Sequence, residues 1–174
     1  MDNTSLQSNQ KEFISPFITT EAFLNHWQGH RRLTRKVIEA FPENEFYNYS
    51  LGGMRPFAEQ VMEMIGLAAP GIRGIQTGNW TSIEKPILNS HTKAPETKRE
   101  ILNLWDWVTD QIDTIWPQIP QNRFEETDVA FGQYEDSVYS ILLYLIDNEI
   151  HHRGQGYVYL RSLGIEPPAF WDRI

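Results

Sequence analysis

The sequence predicts an all-α protein: a four-helix bundle of long helices followed by a short irregular C-terminal tail. Three observations carry that expectation. Apolar residues recur at three- and four-residue steps along four long segments, the spacing that gives a helix one buried stripe. Pro42, Gly52-Gly53, Pro117, Pro120 and Gly164 fall between or after those segments, where helices stop. A chain of 174 residues with 40% hydrophobic and 13% aromatic side chains is long and apolar enough for one packed core, and it shows no internal repeat.

Residues 1–17 are polar and read as an N-terminal arm, which leaves residues 18–174 as the domain. The first helix is expected from Thr19 or Thr20 to Phe41, with Phe23, Trp27, His30, Thr34, Val37 and Phe41 inward. Pro42 ends it, because the residue before a proline disfavours the helical region. Residues 42–54 read as a connection. A second helix begins near Arg55, with Pro56 at the tolerated first position and Phe57, Gln60, Val61, Met64, Ile65 and Leu67 on its apolar side. Pro70-Gly71 marks its kink or end.

Residues 76–94, rich in Gly, Asn, Thr, Ser and Pro, read as a long surface loop. The third helix runs from near Pro95 towards Pro117 and carries Ile101, Leu104, Trp105, Val108, Ile112 and Ile115. A short extended stretch around Asp128–Phe131 follows. The fourth helix opens near Asp136-Ser137. Its seam is Val138, Ile141, Leu142, Leu145, Asn148, His152, Gln155 and Tyr159, and Gly164 stops it.

Charge and composition exclude several functions. With 15 basic against 23 acidic residues the net charge is −8, so neither nucleic acid nor an anionic membrane surface is an expected partner. No apolar run approaches the roughly 20 residues that span a bilayer. The polar N-terminus shows no targeting segment, and a soluble, cytoplasmic protein is expected. The absence of Cys removes disulfides, thiolate nucleophiles and Cys-ligated zinc.

The chemistry concentrates in NEIHHRGQ, Asn148 to Gln155. Asn148 and His152 are four residues apart and share a helical face, whereas His151 lies about 100° away. Such a pair can chelate one metal, although a hydrogen-bonded boundary histidine is the commoner fate. Gly154 in mid-helix suggests a close backbone approach, and Arg153 reads as a solvated side chain. Glu63 sits within an apolar run of the second helix, so it marks either a solvent stripe or an inward carboxylate that needs a cation or a donor. His26 and His30 form another four-residue pair, of which His30 follows the inward seam. His91 reads as solvated, and the aromatics of Asn79-Trp80 and Phe170–Asp172 as packing anchors. No Ser–His–Asp order, phosphate-binding loop or paired-carboxylate motif occurs.

HHRGQ continuing through YVYLRSLGIEPPAFWD resembles the signature end of the DinB-like superfamily, four-helix bundles that include metal-dependent thiol transferases and mycothiol-dependent maleylpyruvate isomerases. The similarity extends from about Thr20 to Asp172. It includes the His26-Trp27 pair, LGGMRPFAE at the second helix and TGNW beyond it.

The resemblance implies a metal site of one ligand on the second helix and two, four residues apart, on the last. Carried over residue by residue, those positions are Glu63, Asn148 and His152, of which only His152 keeps the family's usual histidine. It further implies a divalent ion such as zinc, nickel or manganese, no organic cofactor, and a small-molecule substrate with a low-molecular-weight thiol. A homodimer and a metal-dependent transferase or hydrolase would fit the same pattern. The alternative it leaves open is a non-catalytic bundle without the metal site, serving as a stress-related binding or dimeric interaction protein.

Overall fold

The computed structural model describes residues 17–81 and 95–174. Five helices occur in that range: α1 (Thr20–Ala40), α2 (Glu43–Asn48), α3 (Phe57–Thr77), α4 (Lys98–Ile115) and α5 (Val138–Ser162). The four long ones form the expected bundle. α1 and α3 each pack on both α4 and α5. The core between them is apolar and aromatic, with Trp27, Phe57, Ile65, Ile72, Trp105, Val108 and Tyr159 fully buried.

Local chemistry sets most of the ends. Thr19 caps α1 by accepting the Ala22 N–H. Thr97 and Glu100 close a reciprocal capping box at α4, so that helix starts just after Pro95. Gly164, at φ 76°, follows α5 in the left-handed region that glycine adopts without a Cβ penalty.

Several expectations need correction. The connection after Pro42 contains the short helix α2, whose Phe46 is buried against Phe41 and Phe57. Pro70 neither ends nor interrupts α3, which continues to Thr77. Ala68, Ala69, Ile72 and Ile75 remain buried through that stretch, and tertiary packing of the face outweighs the lost backbone bond.

The extended stretch is half of an antiparallel hairpin, β1 (Thr127–Ala130) with β2 (Tyr134–Ser137), so α5 opens just after Ser137. The rest of the long loop from residue 82 to 94, with His91, and the arm up to residue 16 lie outside the described residues. No helix among the described residues is long and apolar enough to cross a membrane.

The glycine expectation moves by two positions. A Cβ on Gly154 would meet nothing within 4 Å, whereas one on Gly156 would lie 2.6 Å from the Phe57 ring. Gly156 is therefore where α5 closes on α3. Trp80 is the anchor expected, seated over Gly74 and against Phe131. Phe170 and Trp171 are not anchors: they are 62% and 73% exposed.

Candidate functional site

Glu63 on α3 and Asn148 with His152 on α5 meet at one carboxylate oxygen. Oε1 of Glu63 lies 2.9 Å from His152 Nε2 and accepts the Asn148 side-chain amide at 3.2 Å. Its other oxygen pairs with the guanidinium of Arg55, just before α3. The four-residue step on α5 places Asn148 and His152 one above the other, and the crossing of α3 brings Glu63 to both.

Burial alone would push the Glu63 carboxyl up. The Arg55, His152 and Asn148 hydrogen bonds outweigh it and hold the group at about 2, so it is a carboxylate at neutral pH. His151 points away, exposed, with Nε2 at 2.7 Å from the Gln155 amide nitrogen.

Two of the cluster's three donor separations are close to those a cation would require. Bonds of roughly 2.0–2.2 Å to one ion place neighbouring donor atoms roughly 3.0–3.4 Å apart, and the separations at Glu63 are 2.9 and 3.2 Å. Two buried atoms, Asn148 Oδ1 and His152 Nδ1, have no hydrogen-bond partner among the described residues. A half-turn of the Asn148 carboxamide presents that free oxygen where its NH2 now sits. The set of carboxylate, amide and imidazole is harder than three histidines and suits oxygen-tolerant divalent ions with water completing the shell. Two features oppose it: Arg55 brings a positive charge to Glu63, and no group of three His, Cys, Asp or Glu side chains gathers among the described residues.

A cavity of about 640 Å³ opens beside Glu63, between α3, the hairpin and the first turns of α5. Such a volume lies in the range that holds a small organic ligand.

A second polar cluster was not expected from the sequence. Arg31 of α1 and Glu149 and Arg153 of α5 are 0%, 2% and 6% exposed. Glu149 accepts the Thr34 hydroxyl at 2.6 Å and has a guanidinium nitrogen of each arginine at 3.8 Å. Arg31 stacks over Trp105, its centre 3.6 Å from the ring, and donates to Thr109 and to the Trp105 carbonyl.

Burial dominates the proton equilibria in this cluster. It raises the Glu149 carboxyl against the pull of Arg31, Thr34 and Arg153, and lowers Arg31 to about 10 against the pull of Glu149. Arg153, expected in solvent, is thus a core residue. The signal was present: Glu149 follows Leu145 and Arg31 follows Trp27 at helical spacing. An aliphatic tally passes over charged side chains at such positions.

His30 belongs to this cluster too. Its Nδ1 lies 2.9 Å from Arg153 Nη2, which can only donate, so the ring's own proton sits on Nε2 towards His26 at 3.2 Å. Arg173 Nη1 lies 3.3 Å from that same nitrogen, a poorer contact. Burial, then Arg153, Arg173 and His26, lower His30 to about 3. The His26–His30 pair is a hydrogen bond, not a chelate.

These features define a helical bundle with a carboxylate–imidazole–amide cluster at the head of a cavity. The model of the DinB family matches residues 8–172, and the chain belongs to that family. Among solved structures it is similar to a DinB-like protein from Bacillus cereus ATCC 10987, with 17% identity, a TM-score of 0.69, and coverage of 86% of this chain and 95% of that one. A DinB-like protein from Bacillus subtilis is similar at 19% identity and a TM-score of 0.65, over 87% of this chain and 98% of that one. At such identities the likeness is one of fold. No curated protein matches the sequence.

Proposed function

We propose that this DinB-family protein binds one divalent ion, such as zinc, nickel or manganese, through Glu63, Asn148 and His152, and uses it in a transfer reaction on a small molecule. The observation that carries the reading is the meeting of these three side chains, 85 and 89 residues apart in the chain, at a single carboxylate oxygen with a buried amide oxygen left over. A bound ion would lower the pKa of a thiol or water and so supply a nucleophile near neutral pH. The chain has no Cys, so the thiol would come from a low-molecular-weight cosubstrate. Glu63 supplies the negative charge of the site, and Asn148 offers an amide that can accept or donate. The adjoining cavity takes the second reactant.

Metal analysis of tag-free protein loaded in turn with zinc, nickel and manganese tests this. About one equivalent that is lost in His152→Ala and retained in His151→Ala is expected. Protein that stays metal-free after loading with all three ions ends the proposal.

A second reading is a metal-free binding or dimeric interaction protein. Its support is the Arg55–Glu63–His152 chain, in which two donors already engage the carboxylate. The same metal analysis decides between the two.

A further inference from the structure

Among the described residues of the four long helices, every large apolar side chain that stays exposed belongs to α5. They are Tyr139, Leu143, Tyr144, Ile150 and Val158, at 37–57%. With 3.6 residues per turn, Leu143, Asp147, Ile150, Gly154, Val158 and Arg161 all lie within about 40° of one line along the helix. Gly154 stands in the middle of that line. It is exposed, a Cβ on it would meet nothing within 4 Å, and glycine weakens a helix interior relative to alanine. No contact among the described residues accounts for it.

The positions around Gly154 are self-complementary. Ile150 and Val158 stand four residues to either side of it, and Asp147 and Arg161, both exposed, stand seven residues to either side. Two copies of α5 crossing antiparallel, glycine against glycine, bring Asp147 of each copy beside Arg161 of the other. The same register sets Ile150 of each copy in one layer with Val158 of the other. A two-fold interface requires this exchange, in which residue i meets j and j meets i. One register thus pairs the opposite charges twice, while the glycines let the two backbones come close. Phe170 and Trp171, 62% and 73% exposed, border Arg161 and carry the apolar surface past the end of the helix.

We infer that this face of α5 seats a second copy of the chain, docked antiparallel across Gly154. α5 thus gives the homodimer expected from the sequence a surface, a polarity and a register. The face lies about 160° around the helix from His152, so docking does not depend on metal at the Glu63 cluster.

Sedimentation velocity of the full chain at about 1 to 100 μM tests the inference. The expected species is a dimer of the 20.3 kDa chain. Asp147→Arg and Arg161→Asp each set like charges together twice per dimer and should weaken association about tenfold or more. An equimolar mixture of the two variants should restore the dimer, because the mixed pair has both contacts with their signs exchanged. Gly154→Leu, which holds the backbones apart, should weaken association as well. These positions are exposed, and far-ultraviolet circular dichroism equal to the wild type's shows that each variant is folded. A chain that stays monomeric throughout overturns the inference, whether residues 1–16 or a different protein then covers the face. A dimer indifferent to the single variants, or one that the mixture does not restore, overturns it too. Dimerisation that persists in protein taking up no metal supports this inference and leaves the metal reading to fall alone.

Discussion

His152 and Glu63 are 89 residues apart in sequence and 2.9 Å apart in the fold, joined through Nε2 and Oε1. The contact ties α5 to α3 at the head of the cavity. It explains why an acidic residue stands among apolar neighbours on α3: its carboxylate is turned towards three donors. Each consequence of this arrangement, and of the buried cluster on the other side of α5, can be measured.

The first concerns pH. The Glu63 carboxyl is held at about 2, below its ordinary value of 4.5. A depressed folded-state pKa means that its stabilisation is fully present above about pH 4.5 and is lost as pH falls through about 2. The group is partly exposed, so solvent screening limits the effect to about 1 kcal/mol. Urea unfolding should show wild type more stable than Glu63→Gln at neutral pH, with the gap closing at about pH 3 or lower. A gap independent of pH would mean that the carboxylate's charge does not matter.

The second concerns Glu149, which sits between two buried arginines. Glu149→Leu removes the only carboxylate among them and leaves both guanidiniums uncompensated, an expected loss of about 3–5 kcal/mol. The triple replacement Arg31→Met/Glu149→Leu/Arg153→Met removes all three charges and should recover most of that loss. Equilibrium unfolding of both variants checks the pair of statements. A triple variant no more stable than the single one would show that the arginines' other hydrogen bonds, to Thr109, Trp105 and Thr34, matter more than the charge balance.

The third sets two glycines of α5 against each other. Gly154→Ala enters open space and should stabilise the helix by about 1 kcal/mol. Gly156→Ala meets the Phe57 ring at 2.6 Å and should destabilise by about 1–3 kcal/mol. Melting temperatures that shift in the same direction for both would contradict the packing of α5 on α3.

The positions that were readable in the sequence, and those that were not, divide along physical lines. Periodicity found the four long helices because each buries one continuous face, as Phe23, Trp27, Val37 and Phe41 do on α1. It missed α2, which is six residues long and shorter than any reliable period. It offered Pro70 as a kink or an end, and α3 does not end there because propensity is local, whereas the burial of Ile72 and Ile75 is not.

At the site, spacing alone paired Asn148 with His152 and set His151 aside. Glu63 stood out as an acid within an apolar run, and the family resemblance set it in one site with Asn148 and His152, which lie on another helix. The Arg31–Glu149–Arg153 cluster stayed hidden because charged residues at seam positions look like surface until a partner on a second helix is known.

Arg55 supplies the last test. Its guanidinium pairs with the Glu63 oxygen that faces away from His152 and Asn148. In the absence of metal it partly neutralises the carboxylate, and with a divalent ion bound it stands as a like charge one carboxylate away. Arg55→Leu removes that repulsion and leaves the Glu63 oxygen free, so the affinity for zinc or manganese should rise by about tenfold, about 1.4 kcal/mol. Because the Arg55 backbone carbonyl, which accepts from Tyr159 and Gln60, is kept in the variant, the entry to α3 should hold. Competition titration against a metal chromophore at fixed pH measures the change. Weaker metal binding in Arg55→Leu would show that the arginine acts mainly by holding Glu63 in position, and would place it among the groups that build the site.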